Sequence, residues 1–142
     1  LRKASATGAL ASFETRGLLA HLLSLSGHAE DRREAHALAA RVLGESPNEG
    51  GALSAMGILS MGAGRWREAE GYFERLVAVS GVAEYKAYEA LGIARFNQGK
   101  YREAAETFRE GMRRYPGDPG FQQYTQRAEG KAAEEKLRQA VR

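Results

Sequence analysis

Residues 57–73, GILSMGAGRWREAEGYF, and residues 92–108, GIARFNQGKYREAAETF, decide how this chain folds. Gly57, Gly64, Trp66, Ala69 and Phe73 of the first stretch recur 35 positions later as Gly92, Gly99, Tyr101, Ala104 and Phe108. A period of that length belongs to stacked repeats, in which each unit is one supersecondary element that cannot bury its apolar face alone. Gly57 and Gly92 lack a β-carbon, so two helices can approach closely where Ala69 and Ala104 face them, with Phe73 and Phe108 filling the neighbouring space. Glycine inside a helix costs about 1 kcal/mol against alanine, and its recurrence at one register points to compensation by packing. Gly64 and Gly99 stand where the first helix of a pair must end, a place that commonly takes the left-handed backbone glycine adopts freely.

Outward from these stretches, a helix, a glycine-containing turn and a second helix succeed one another. The first pair covers about residues 14–43, where Leu18, Leu19, Leu22, Leu23 and Leu25 predict a wide apolar face. Its turn lies at about residues 27–31, its second helix carries Ala35, Leu38, Ala39, Val42 and Leu43, and Gly44 with Pro47 supplies the stop. The second pair covers about residues 51–80, and the third about residues 84–115, ended by Pro116. Beyond Pro119 a further helix is predicted over about residues 121–142, broken near Gly130, with Ala133, Leu137, Ala140 and Val141 as a narrow apolar stripe. Terminal repeats need a polar outer face, and this charged segment suits that role.

The composition fits a folded, mostly helical chain. Its 142 residues make about one domain, and only 3 prolines interrupt a sequence rich in Ala, Leu, Glu and Arg. The net charge of +3 arises from 21 Lys and Arg set among 18 Asp and Glu, whereas a nucleic-acid surface needs its cations segregated. With no cysteine there is neither disulfide nor thiolate chemistry. No apolar run reaches the roughly 20 residues of a membrane span. The sequence begins at Leu1 without a signal-peptide pattern and reads as an excised or processed piece of a longer protein. Arg outnumbers Lys and Ala and Gly abound, which points to a GC-rich bacterial source; cytoplasm and periplasm fit equally well.

The spaced residues resemble the tetratricopeptide repeat family. Leu91-Gly92, Gly99, Tyr101, Ala104, Phe108 and Pro116 stand at the family's spacing for helix packing, turn and exit. Gly57, Gly64, Trp66, Ala69 and Phe73 match a second unit, and Leu22, Ala35 and Pro47 keep a trace of a first. The resemblance implies an all-α, right-handed superhelical solenoid of helix-turn-helix repeats with a C-terminal capping helix. Residues 1–142 would form a single domain: a degenerate repeat at about 16–47, repeats at about 50–81 and 85–118, and a cap at about 120–142. Ser60 and Arg95 depart from the family's usual tyrosine, Gly111 replaces a small residue, and Ser80-Gly81-Val82 replaces the proline exit.

Candidate chemistry is sparse. His21, His28 and His36 are the only histidines, on two helices and a turn, and no set of three or four metal ligands converges by spacing. There is neither a nucleophile elbow nor a phosphate-cradling glycine loop, so no enzyme and no cofactor are expected. Arg102 with Glu106 and Glu110 with Arg114 are pairs four apart on a solvated helix face. The clusters Arg32-Arg33, Arg65-Arg67 and Arg113-Arg114 fall near turns and helix ends and leave room for an acidic partner.

In tetratricopeptide repeats the first helix of each pair lines a concave groove. That resemblance makes Ala20, Ser24, Ser54, Ile58, Met61, Lys86, Glu89, Ile93, Phe96 and Asn97 its exposed positions, apolar at the middle and polar at one end. Domains of this family that clamp chaperone carboxylate tails use Lys, Asn and Arg at positions held here by Ala20, Ser24, Ala55 and Ala90, with only Lys86 fitting. The expected function is a protein–protein interaction scaffold that takes a peptide or helix of a partner in the groove, with self-association also open. The alternative is an accessory or regulatory module packed against another domain of a larger protein, and nucleic acid is the least favoured partner.

Overall fold

A computed structural model describes residues 12–79 and 85–142. Among them are seven helices and no strand: α1 (Phe13–Ser24), α2 (Ala29–Glu45), α3 (Gly50–Gly62), α4 (Trp66–Ala78), α5 (Tyr85–Phe96), α6 (Tyr101–Arg114) and α7 (Pro119–Val141). The fold class is an all-α helical-repeat solenoid. The chain divides into two compact units, within residues 1–82 and 83–142, the first holding α1–α4 and the second α5–α7. The exit at Ser80-Gly81-Val82 and the amino-terminal reading at Leu1 lie outside the described residues.

In the first unit α1 packs against both α2 and α3. Leu19 and Leu23 of α1, Ala35, Leu38, Ala39 and Val42 of α2, and Ala52 and Ala55 of α3 make one apolar core. The wide apolar face expected of α1 is therefore narrower: Leu18, Leu22 and Leu25 are 55%, 43% and 60% exposed. The expectation that Ala20 and Ser24 face a groove is also overturned, since both are buried where α3 lies over α1. A β-carbon on Gly51 would meet the Gly17 backbone 2.5 Å away, so these two glycines set how closely α1 and α3 cross. The Glu49 carboxylate caps α3 by accepting from the Ala52 amide at 2.7 Å, and Arg75 of α4 donates to the Pro47 carbonyl.

Each hairpin then repeats one construction. Gly64 and Gly99 have φ of +72° and +78°. Past each, the chain turns back with paired bonds, Arg65 N to Ser60 O at 2.8 Å and Gly64 N to Met61 O at 3.0 Å, then Lys100 N to Arg95 O and Gly99 N to Phe96 O, both at 3.0 Å. That is the Schellman arrangement, which satisfies the last carbonyls of the first helix. A β-carbon on Gly57 would lie within 3 Å of the Phe73 ring, and one on Gly92 within 3 Å of Phe108. The rings thus sit on the glycines themselves, more directly than the expected contact with Ala69 and Ala104, both of which are fully buried beside them. Arg95, in the place where the family has tyrosine, donates to Thr107 Oγ1 at 2.6 Å and ties α5 to α6.

The second unit ends in α7, which packs on α6. Asp118 accepts from the Gly120 amide at 2.8 Å, and Pro119 occupies the first turn, where its missing N–H costs nothing. Gly111 of α6 takes the ring of Phe121 in the way Gly92 takes Phe108, which accounts for its departure from the repeat pattern. The break expected near Gly130 does not occur, and α7 is continuous from Pro119 to Val141. Its buried residues are Phe121, Thr125 and Ala128, whereas Leu137 and Val141 are 68% and 85% exposed. The cap contact therefore lies in the first half of the helix and not in the Ala133, Leu137 and Val141 stripe. No helix among the described residues is long and apolar enough to cross a membrane.

Candidate functional site

On α5 the expected site residues Lys86, Glu89, Ile93 and Phe96 follow three- and four-residue steps, so an α-helix sets them along one face, and Asn97 follows in the turn at its end. Ile93, Phe96 and Asn97 line a cleft of about 230 Å³ in the second unit. Its opposite wall is Tyr124 and Arg127 of α7, with Phe108 between. Phe96 is half-buried: the Tyr101 ring meets it edge-on at 5.0 Å, and the Arg127 guanidinium stands 5.4 Å from its centroid. Tyr124 stacks on Phe108 at 5.1 Å, so the ring that fills the hairpin core also supports the cleft wall. Asn97 donates to the Ile93 carbonyl at 3.0 Å.

At the near end of this face the Tyr124 hydroxyl hydrogen-bonds with Glu89. Burial pushes the Glu89 carboxyl above the usual carboxylate range and Asp118 adds to the rise, while Lys86 and the Tyr124 hydrogen bond oppose it. The Tyr124 hydroxyl is raised in turn, chiefly by the Glu89 charge and then by burial. The cleft is an aromatic slot with the Asn97 amide and the Arg127 guanidinium in its lining, and Glu89 stands outside that lining, one turn before Ile93 on α5. The slot can hold an apolar side chain and orient the polar backbone on either side of it.

The other three expected residues belong to the first unit. Ser54 of α3 lies 3.0 Å from His21 Nδ1 of α1, and Ile58 and Met61 are half-buried on the same helix. Of the helix-surface pairs expected on α6, Glu110 and Arg114 meet at 2.9 Å, and Arg113 joins them. Those two arginines hold the Glu110 carboxyl below its ordinary range. No group of three or more His, Asp or Glu able to hold a metal ion occurs among the described residues.

Tyr124 and Arg127 lie outside the repeat spacing, and the apolar stripe in the last turns of α7 does not point to them. The signal was present in the helical spacing of Phe121, Tyr124, Thr125 and Ala128 ahead of Gly130.

Comparison with known proteins agrees with this construction. Residues 54–119, which span both glycine–phenylalanine hairpins, match the family model described as Tetratricopeptide repeat. No curated protein matches the chain. Repeats of this family are generally protein-interaction modules and typically not enzymes. Two hairpins with the same glycine-seated ring and the same glycine turn, inside one family match, make residues 54–119 of this chain a tetratricopeptide repeat segment.

Proposed function

We propose that the chain is a protein-interaction scaffold that takes a peptide or helix of a partner along the first helix of each hairpin. Ser54, Ile58 and Met61 would contribute from α3, Lys86, Glu89, Ile93 and Phe96 from α5, and Asn97 from the turn after it. The observation that carries this reading is the 230 Å³ cleft lined by Ile93, Phe96 and Asn97, with aromatic walls and the Arg127 guanidinium beside them. A slot of this size suits one anchoring side chain rather than a whole small ligand. Its test is affinity capture with the wild-type chain beside Phe96→Asp, each checked by a thermal melt. The expected result is a captured protein that the folded variant loses; equal capture by both assigns partner binding to another surface.

The exposed Leu18 and Leu22 of α1, with Leu25 just past its end, favour a second reading, in which the chain packs as an accessory module against another domain of a longer polypeptide.

A further inference from the structure

The first unit holds a second cleft, of about 430 Å³, formed between α2, α3 and α4 and away from the proposed partner face of α3. Its floor is apolar, made by Met56 and Leu59, whose other sides pack on the α1–α2 core. Tyr72 of α4 adds an aromatic wall. Around the rim the fold gathers what the sequence separates: Arg32, Arg33 and His36 from α2, and Arg65 from the turn before α4. Glu68 is the one carboxylate in this lining.

The cations retain most of their donors. Arg32 gives one guanidinium nitrogen to the Ser26 carbonyl at 3.1 Å, and Arg65 reaches Glu68 only at 4.0 Å, with both side chains largely exposed. Arg33 is exposed and enters no ion pair among the described residues. The cleft also receives the starts of α2 and α4, and neither has a side-chain cap on its first amides. Helix starts carry partial positive charge, but Glu30 and Asp31 stand in the first turn of α2 and Glu68 in that of α4, so the guanidiniums supply the cleft's anion selectivity.

From this charge complementarity we infer that the cleft binds an acidic protein segment, an apolar side chain seated on Met56 and Leu59 with flanking carboxylates on Arg32, Arg33 and Arg65. Exposed ion pairs are individually weak, so the floor supplies affinity and the arginines supply selection. Nucleic acid fits less well, since its phosphates would meet the same cations while the apolar floor stayed unused.

The test is an immobilised array of short random peptides probed with three proteins: wild type, Arg33→Glu/Arg65→Glu, and Phe96→Asp. Both arginines are exposed, so the reversal variant should keep the helical circular dichroism of wild type; Arg33→Gln/Arg65→Gln serves if it does not. Wild type should select peptides with an apolar residue between Asp or Glu, the reversal variant should lose them by about tenfold or more, and Phe96→Asp should retain them. Raised salt should weaken the selected peptides. A wild-type selection without acidic residues would overturn the inference, as would one that the reversal variant keeps at full strength. A single-stranded oligonucleotide that binds through these arginines when no peptide is selected would overturn it too.

Discussion

Phe108 is seated against Gly92 at one end of its environment and stacked on Tyr124 at the other, so a single ring joins the repeat core to the candidate cleft. It is 1% exposed, and Phe108→Ala should cost about 3–5 kcal/mol in urea denaturation. Gly92→Ala places a methyl group within 3 Å of that ring and should cost about 1–3 kcal/mol by overpacking. Gly99→Val forces a β-branched residue to φ +78° and should cost about 1–3 kcal/mol through backbone strain. Three variants with wild-type stability would mean that the glycine–phenylalanine register is misassigned. Glu89 offers a different test at this scale. Its folded pKa is raised, so between the unfolded carboxylate pKa and the raised value the folded chain binds more protons, and stability falls as pH rises through that window. Glu89→Gln should therefore melt above wild type at neutral pH and converge with it in acid; a difference that does not change with pH would show that Glu89 carries no such penalty. The glycine–phenylalanine pairs were legible because two units repeat them. The Gly17–Gly51 crossing was not, because the first hairpin has lost the pattern and only the folded backbone brings those glycines together.

Among the elements, α7 departs furthest from its sequence reading. Amphipathic spacing indicates the helix, but its buried contacts come from Phe121, Thr125 and Ala128 near its start and not from the apolar residues at its end. Gly130 does not break the helix. It lies exposed with open space around it, where glycine costs about 1 kcal/mol and leaves the helix intact. Since the buried contacts end at Ala128, truncation after Gly130 should leave the melting temperature nearly unchanged and the chain no more prone to associate, as read by thermal melts and light scattering. Phe121→Ala, by contrast, should cost about 3–5 kcal/mol, because that ring is 1% exposed and fills the space above Gly111. A strongly destabilised truncation would show that the second half of α7 does cap the repeats. For α1 the five leucines predicted a helix well and its buried face poorly, since pattern alone cannot tell which side α2 and α3 will both occupy.

At the scale of the whole molecule, the repeat signature of residues 54–119 was legible in two units, and interaction is the general role of such repeats. The position of the cleft was legible only in part. Ile93, Phe96 and Asn97 could be read from helix position, but Tyr124 and Arg127 come from a helix outside the repeat, and the arginine-rimmed cleft assembles residues from three helices. The proposed role rests on a surface, so binding is the decisive observable. Its most direct test is calorimetric titration of the segment mapped from a captured partner into three proteins: wild type, Phe96→Asp, and Asn97→Trp, which fills the cleft from an exposed position. Both variants should stay helical and bind about tenfold or more weakly, a loss of at least about 1.4 kcal/mol. Folded variants that both bind at wild-type strength would contradict a partner site on α5.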